Sequence, residues 1–210
     1  MAHRTIAGPS EYVEVVKGSR FRTVVAPLTE PEAAAAWIAQ LRVVESDAGH
    51  VTWAWRWGDA QRWSDDGEPG GTAGRPMLEI ILKRDLDRVI AGVARVYGGV
   101  KLGAGGLARA YGGGVAKALD AATIVEVHDR LGFLLTAPFA EVDAVLRALA
   151  EPSVEHAPPN FDAAGVVLQG TVLVSERERI ALEIATATRG RAAWAWSDAA
   201  PPASPGGQRK

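Results

Sequence analysis

The chain contains no cysteine among its 210 residues. Disulfide bonds, thiolate zinc sites, iron–sulfur clusters and a cysteine nucleophile are therefore all excluded. No apolar run approaches the roughly 18 residues that a membrane-spanning helix needs, and the first residues lack the basic-then-apolar layout of a signal peptide. We therefore expect a cytoplasmic protein that does not associate with membranes.

The chain also lacks a strong excess of positive or negative charge. Its 23 Lys and Arg residues nearly balance its 25 Asp and Glu residues, and the net charge is −2. This balance excludes a broadly basic nucleic-acid-binding surface but permits a local basic patch. Hydrophobic residues make up 48% of the chain, which is ordinary for globular proteins and excludes disorder over most of its length. The length suits one large domain or two small ones.

The start of the chain predicts a hairpin followed by a helix. Two β-rich segments, 12–16 and 21–26, flank a turn at Gly18. Thr29 and Glu32 have the spacing of a helix capping box. The apolar residues that follow share one helix face at i, i+3, i+4 and i+7: Ala34, Trp37, Ile38 and Leu41.

A strict alternation at 51–57 predicts a strand whose one side carries Trp53, Trp55 and Trp57. Such a stripe fits burial in the core or a platform for stacking nucleic-acid bases, and core burial is the more common case. A polar loop is expected at 59–74. The other elements predicted in this half are a short helix at 77–83, a buried strand at 88–97, a helix at 105–121 and a strand at 123–127.

The second half predicts the strand–helix–strand–strand–helix–strand order of a ferredoxin-like unit. Its elements are a strand at 133–136, a helix at 139–150, strands at 154–156 and 165–174, a helix at 177–188 and a strand at 191–196. We therefore expect an α+β protein with one domain at 10–127, a second at 130–198 and a disordered tail at 199–210, because that tail is rich in Pro and Gly.

An acidic segment at 64–76 is the first candidate site. Asp65, Asp66 and Glu68 place three carboxylates within four residues, and Thr72 follows in the same loop. Such a cluster suits a hard cation such as Mg²⁺ or hydrogen bonds to the backbone amides of a turn. The commonest alternative is a solvated acidic loop that caps the next helix.

A glycine-rich segment at 98–114 is the second candidate, with eight of the 23 glycines in 17 residues. Glycine at a helix start leaves backbone amides open to anions, and Lys101 and Arg109 add positive charge. The Walker pattern is absent, and a loose dinucleotide pattern at 103–108 lacks a well-placed acidic partner. The other interpretation is tight packing, which would offset the roughly 1 kcal/mol that each glycine at 112–114 costs in a helix.

Other catalytic patterns are missing. The four histidines do not have metal-ligand spacing, and no serine lies in a Gly-x-Ser-x-Gly elbow. We therefore expect no metal site and no cofactor, apart from Mg²⁺ if the acidic loop binds it.

The two segments together resemble the signature of the IMPACT/YigZ family. The acidic loop matches as Asp-Gly-Glu-Pro-Gly-Gly-Thr-Ala-Gly-Arg-Pro at 66–76, and the glycine-rich segment matches from Tyr97 to Tyr111. Residues 17–21 and His50 also fit the family pattern. The resemblance covers roughly residues 10–127. The chain departs from the pattern at 96–99, where Val-Tyr-Gly-Gly stands for Tyr-Phe-Gly-Gly, and in its third consecutive glycine.

This resemblance implies a first domain that is an α/β sandwich like the second domain of a small-subunit ribosomal protein. The ferredoxin-like βαββαβ second domain is similar to a late domain of elongation factor G. Because eukaryotic relatives act in translational control, the resemblance implies a non-enzymatic regulator. Its partner is expected to be RNA, the ribosome or a translation-related protein.

The expected binding residues for a phosphate, RNA or partner are Arg75, Lys101, Gly103, Gly105, Gly106 and Arg109. Asp65, Asp66, Glu68 and Thr72 form the acidic loop of an alternative, Mg-dependent phosphoryl-transfer or hydrolytic enzyme. In a third interpretation both segments are structural, with Arg75 or Arg109 paired to Asp65 or Glu68. The sequence does not predict the oligomeric state.

Overall fold

The computed structural model describes residues 2–197, whose contacts divide the chain into two units. The first unit comprises His3–Val127, and the second begins at His128. The predicted tail at 199–210 lies outside the described residues. None of the described helices is both long and apolar enough to cross a membrane.

The first unit is composed of strands and helices, and its first and last strands each extend one residue beyond it. In order they are β1 (Ala2–Ile6), β2 (Ser10–Val16), β3 (Ser19–Pro27), α1 (Ala33–Val44), β4 (His50–Trp57), β5 (Ala60–Ser64), α2 (Gly74–Lys83), β6 (Val89–Val96), α3 (Ala104–Ala121) and β7 (Ile124–His128). Five of the strands form an antiparallel sheet in the order β2–β3–β6–β4–β5, and β1 pairs with β7.

Helices α2 and α3 cover one face of the five-stranded sheet. Met77 and Ile81 of α2, Tyr111 and Val115 of α3, and Phe21 of β3 are buried in one hydrophobic cluster. The central strand β6 is buried on both faces, as its run of apolar residues predicts. This core fixes the start of α3 beside the end of β6, where the glycine-rich segment lies.

Helix α1 covers the opposite face through its predicted apolar stripe. Ala34 and Leu41 are buried, and Trp37 packs in the same layer. The alternating tryptophans of β4 also belong to this layer, with Trp55 buried. The core interpretation of the tryptophan stripe is therefore confirmed.

The first helix begins later than the capping box predicts. Helix α1 starts at Ala33, and no side chain caps it. The prediction that Thr29 is the cap is wrong because Pro31 disfavours the helical conformation for the residue before it. The chain forms a turn first, in which the Ala33 N–H donates to the Glu30 carbonyl oxygen.

The predicted loop at 59–74 contains an additional strand. Strand β5 forms a hairpin with β4 in which Trp57 lies opposite Ala60, around a turn where Gly58 has φ 56°. Because β5 lies at the sheet edge and is largely exposed, no hydrophobic alternation marks it in the sequence. The loop proper spans 65–73.

The second unit has the order β8 (Arg130–Ala137), α4 (Val142–Leu149), β9 (Val154–His156), β10 (Asn160–Phe161), β11 (Val166–Leu173), α5 (Arg177–Ala187) and β12 (Ala193–Ser197). The strands are antiparallel in the order β9–β11–β8–β12, and the short β10, which was not predicted, also pairs with β11.

Helices α4 and α5 pack on this second sheet. Val145 and Leu149 of α4 and Ile180 and Ile184 of α5 are buried in one cluster with strand residues of the sheet. The element order is that of a ferredoxin-like unit, and the predicted α+β class is confirmed.

Candidate functional site

The acidic loop is held by backbone hydrogen bonds to its first carboxylate. Asp65 accepts N–H bonds from Gly71, Ala73 and Gly74 at 2.7, 2.9 and 2.9 Å. The amides at 73 and 74 belong to the start of α2, where unpaired N–H groups and the helix dipole favour a negative charge. Asp65 therefore caps α2, as the structural interpretation of this loop requires.

Asp66 ties the same loop to α1 and β4. Its carboxylate pairs with Arg42 at 2.5 Å and accepts the Val51 N–H at 2.6 Å. Burial raises the pKa of Asp66, but the hydrogen bonds from Arg42 and Val51 outweigh this effect together, and its pKa is lowered. His50 adds a further link, because its Nδ1 donates to the Asp66 carbonyl oxygen over 2.7 Å.

Glu68 is the acceptor of a buried polar network. Arg95 donates from Nη1 to Glu68 Oε1 at 2.6 Å, and the Tyr111 hydroxyl donates to the same oxygen at 2.6 Å. Relative exposure is 8% for Glu68, 6% for Arg95 and 0% for Tyr111. Burial, followed by the hydrogen bond to Glu68, raises the pKa of Tyr111 far above its ordinary value, so the hydroxyl keeps its proton.

Arg95 is held through both terminal nitrogens of its guanidinium group. Its Nη2 donates to the Ser19 Oγ at 3.3 Å, and its Cζ lies 5.4 Å from the ring centres of both Phe21 and Tyr97. The Ser19 hydroxyl oxygen also accepts the Gly98 N–H at 3.1 Å. The network thus joins β3, the acidic loop, the end of β6 and α3.

These contacts occupy the carboxylates that a magnesium site would need. Each of the three has internal hydrogen-bond donors, and residues 2–197 contain no group of three His, Asp or Glu side chains placed to hold a metal ion. Thr72 is also engaged, since its hydroxyl donates to the Pro69 carbonyl oxygen at 2.6 Å. The polar side chains of the acidic loop therefore bind neighbouring segments of the same protein.

The internal pairing predicted for the arginines is wrong. Arg75 lies on the exposed side of α2 and pairs with Glu79 at 3.4 Å, while Arg109 makes no ion pair with the acidic loop. The partner of Glu68 is Arg95, because a charge inside the otherwise apolar strand β6 needs a neutralising group nearby.

The glycine-rich segment forms a loop and the open start of α3. Gly103 precedes the helix with φ 74° and contributes no side-chain cap. The next residues, 104–106, therefore begin the helix with backbone N–H groups that no capping side chain satisfies. Gly98 packs so closely on the hairpin turn that an added Cβ would lie 1.9 Å from the Gly18 carbonyl carbon.

The three consecutive glycines of α3 differ in their surroundings. An added Cβ would lie 2.4 Å from Thr23 Oγ1 at Gly114 and 3.4 Å from the Pro76 carbonyl oxygen at Gly112. At Gly113 nothing lies within 4 Å. The tight-packing interpretation is therefore confirmed for Gly114, whereas an added Cβ would make ordinary contacts at Gly112 and has open space at Gly113.

Two adjoining cavities flank the start of α3. The first, here called the Tyr97 cavity, has a volume of about 460 Å³ and includes His50, Glu68, Arg95, Tyr97, Lys101 and Gly103 in its wall. The second, the Arg109 cavity, also measures about 460 Å³ and includes Lys17, Gly106, Arg109, Gly113 and Lys117. Leu102 lies in the wall of both.

The structure brings most of the predicted binding residues to these cavities. Lys101 and Gly103 line the Tyr97 cavity, Gly106 and Arg109 line the Arg109 cavity, and Gly105 is exposed in the first turn of α3. Arg75 lines neither. Glu68 is the acidic-loop carboxylate that reaches the Tyr97 cavity wall.

Three cations around the cavities have no internal partner. Lys17, Lys101 and Arg109 are exposed, and within residues 2–197 their side chains make no hydrogen bond or ion pair. Lys117, by contrast, pairs with Glu14 at 2.6 Å and lies 4.8 Å from the Tyr12 ring centre. The positive charge at 17, 101 and 109 is therefore available to an external anion.

Sequence reasoning overlooked Arg95, although its signal was present. An arginine near the end of a strand that is otherwise entirely apolar is rare without a buried partner. The sequence places Lys17 in the hairpin turn and in the family pattern, but its position beside α3 depends on β2 and β3 packing against that helix. Nothing in the sequence spacing brings the turn at 17–18 to the loop at 98.

Residues 17–119 match the model of the Impact N-terminal domain. An IMPACT family member encoded in the pol 5′ region of Thermus thermophilus is 45% identical over 131 residues, which cover 62% of this chain and 72% of that protein. The chain belongs to the IMPACT family. The IMPACT family member of Haemophilus influenzae (strain ATCC 51907) is 36% identical over 157 residues, covering 72% of this chain and 76% of that relative.

The IMPACT family member YigZ of Escherichia coli (strain K12) is 47% identical over 118 residues. That alignment covers 54% of this chain and 58% of YigZ, so the chain matches less than two thirds of that relative's length. A crystal structure described as that of a hypothetical protein superposes with a TM-score of 0.68 at 32% identity, over 92% of this chain and 96% of the other. The likeness to this solved structure thus extends across both units.

Proposed function

We propose that this IMPACT protein is a non-enzymatic regulator associated with translation that binds RNA, with the ribosome as the source of that RNA. The observation that carries the proposal is the set of unpaired cations, Lys17, Lys101 and Arg109, around the open start of α3. Side chains that are not engaged within the protein are free to bind phosphates.

The start of α3 supports phosphate binding through its backbone. A helix N-terminus presents N–H groups and a partial positive charge to an anion. The glycines at 103, 105 and 106 carry no Cβ, so a phosphate can approach these amides closely. Lys101 lies just before the helix and Arg109 on its second turn, and both add full charges to the same region.

The net charge of −2 supports a small footprint rather than an extended one. Three neutralised phosphates predict that binding weakens on the order of 50-fold between about 50 and about 300 mM salt, because each contact releases a condensed counterion. The resemblance to a ribosomal-protein domain and a translation-factor domain supports the same environment by analogy of fold.

Co-sedimentation with ribosomes from the protein's own source tests this proposal. The wild-type chain is compared at about 50 and about 300 mM salt with the double variant Lys101→Ala/Arg109→Ala. We expect the wild type to pellet with ribosomes at low salt, to pellet less at high salt, and to stay in the supernatant when both cations are removed.

A matched control removes the same charges elsewhere in the first unit. Lys83 and Arg62 are exposed, line neither cavity and make no ion pair within the described residues, so Lys83→Ala/Arg62→Ala should pellet like the wild type. Arg75→Ala tests the remaining predicted cation. Because Arg75 lines neither cavity, we expect this variant to reduce pelleting less than Lys101→Ala/Arg109→Ala does. If the wild type fails to pellet at either salt concentration, the proposal is wrong.

A further inference from the structure

The Tyr97 cavity combines an aromatic and apolar wall with positive charge. Tyr97, Leu102 and Leu107 supply apolar surface, while Lys101 and Arg95 supply cations. The charge of Arg95 is balanced by Glu68, so Lys101 and the α3 start leave a net positive potential. A volume of about 460 Å³ lies within the range of small-ligand sites. A planar ring that carries a negative group matches these features.

The Tyr97 ring is exposed and yet held in place. It is 53% exposed. One side of the ring lies against the Arg95 guanidinium group, with Cζ 5.4 Å from the ring centre. Arg95 is itself fixed by Glu68 and Ser19. A partner ring can therefore stack on the free face without a large loss of side-chain entropy.

The cavity wall also carries a cation without an internal partner. Lys101 is exposed, and its side chain makes no hydrogen bond or ion pair within residues 2–197. An ammonium group in this position favours an occupant that brings negatively charged acceptor oxygens.

We propose that the Tyr97 cavity receives one nucleotide of a single-stranded RNA, with its base stacked on Tyr97 and its phosphate at Lys101 and the α3 amides. This inference rests on the proposed RNA-binding function and specifies the form of RNA that is bound. Bases in an A-form duplex are paired and stacked on each other, so a cavity of this kind reaches only an unpaired base. Aromatic stacking is sequence-tolerant because every base has a π-face.

The experiment compares a labelled single-stranded RNA of about 12 nucleotides, within the range of single-strand binding sites, with its duplex, by fluorescence anisotropy on the full chain. We expect the single strand to bind at least about tenfold more tightly than the duplex. Tyr97→Ala should weaken single-strand binding by roughly 5- to 150-fold, the loss of one stacked base, and leave duplex binding unchanged. Tyr97→Phe should bind like the wild type.

Two controls separate a lost contact from a damaged fold. Val100 is 50% exposed in the same loop but does not line the cavity, so Val100→Ala should leave binding unchanged. Because Tyr97→Ala also removes a contact to Arg95, its thermal melting is compared with that of Tyr97→Phe. A reduced affinity in a variant whose melting temperature lies well above the assay temperature is assigned to stacking.

The possible results distinguish this inference from the proposed function. If neither RNA binds, the proposed function fails. If both RNAs bind equally and Tyr97→Ala has no effect, RNA binding stands and the single-nucleotide site is wrong. Uridine monophosphate is tested as a third ligand. If it binds and its binding depends on Tyr97, while the single strand does not bind, the cavity is a site for free nucleotides. That result overturns the assignment of the cavity to RNA.

Discussion

At the scale of single residues, Glu68 is the side chain whose loss should harm stability most. It is the shared acceptor for Arg95 and Tyr111, and all three are buried. Glu68→Ala leaves the Arg95 charge without its partner, so we expect a loss of about 3–5 kcal/mol in the free energy of unfolding. Tyr111→Phe removes one hydrogen bond to a charged group and should cost about 1.5–3 kcal/mol.

Urea unfolding at neutral pH, followed by far-UV circular dichroism, measures both changes. A surface carboxylate gives the comparison: Glu79→Ala removes an exposed ion pair with Arg75 and should change stability by less than about 1 kcal/mol. Equal effects of Glu68→Ala and Glu79→Ala would show that the buried network does not stabilise the fold.

Asp66 should make part of the stability depend on pH. Its folded-state pKa is lowered, so it contributes stability above its unfolded pKa of about 3.9 and loses this contribution as the pH falls through the folded-state value. Asp66→Asn should therefore be less stable than the wild type at pH 7, and the difference should shrink below about pH 4. Denaturant unfolding across this range measures it; a constant difference would contradict the assignment.

At the scale of elements, neighbouring glycines of α3 should respond to alanine in opposite directions. Gly113 has open space around it, so Gly113→Ala should stabilise the protein by about 0.5–1 kcal/mol through helix propensity. Gly114 packs against the buried Thr23 side chain, so Gly114→Ala should destabilise it by about 1–3 kcal/mol through overpacking. Thermal melting of the two variants side by side checks the sign of each effect.

Most elements could be predicted because their residues carry the period of the structure they form. The stripe of α1 and the alternation in β4 are examples, and each faces a core layer. Strand β5 could not be predicted, because an exposed edge strand needs no apolar face. The capping pattern at Thr29 predicts a start of α1 that is too early, because Pro31 disfavours the helical conformation for the residue before it.

The sequence predicts the two segments that form the candidate site, but not which residues pair with their carboxylates. The family pattern names the acidic loop and the glycine-rich segment, and Lys101 and Arg109 lie at the two cavities. The partners of the carboxylates come from β6, α1 and β4, which sequence spacing does not bring to the loop. Long-range packing therefore decided that Arg95, rather than Arg75 or Arg109, neutralises Glu68.

At the scale of the whole molecule, Mg²⁺ should leave the melting temperature unchanged. A ligand that binds only the folded state raises its stability, but the loop carboxylates already have internal donors. We expect equal melting temperatures in millimolar MgCl₂ and in NaCl of the same ionic strength. A rise specific to Mg²⁺ that disappears in Asp65→Asn would support the enzymatic alternative instead.

The network around Glu68 also constrains how the sequence can change over generations. Its three charged or phenolic members come from separate segments, with Glu68 27 residues before Arg95 and 43 before Tyr111. Replacing Glu68 or Arg95 alone leaves a buried charge without its partner, and replacing Glu68 also leaves the Tyr111 hydroxyl without its acceptor. A substitution at Glu68 of the acidic loop is therefore expected to be accompanied, in the same lineage, by substitutions at Arg95 of β6 and Tyr111 of the glycine-rich segment.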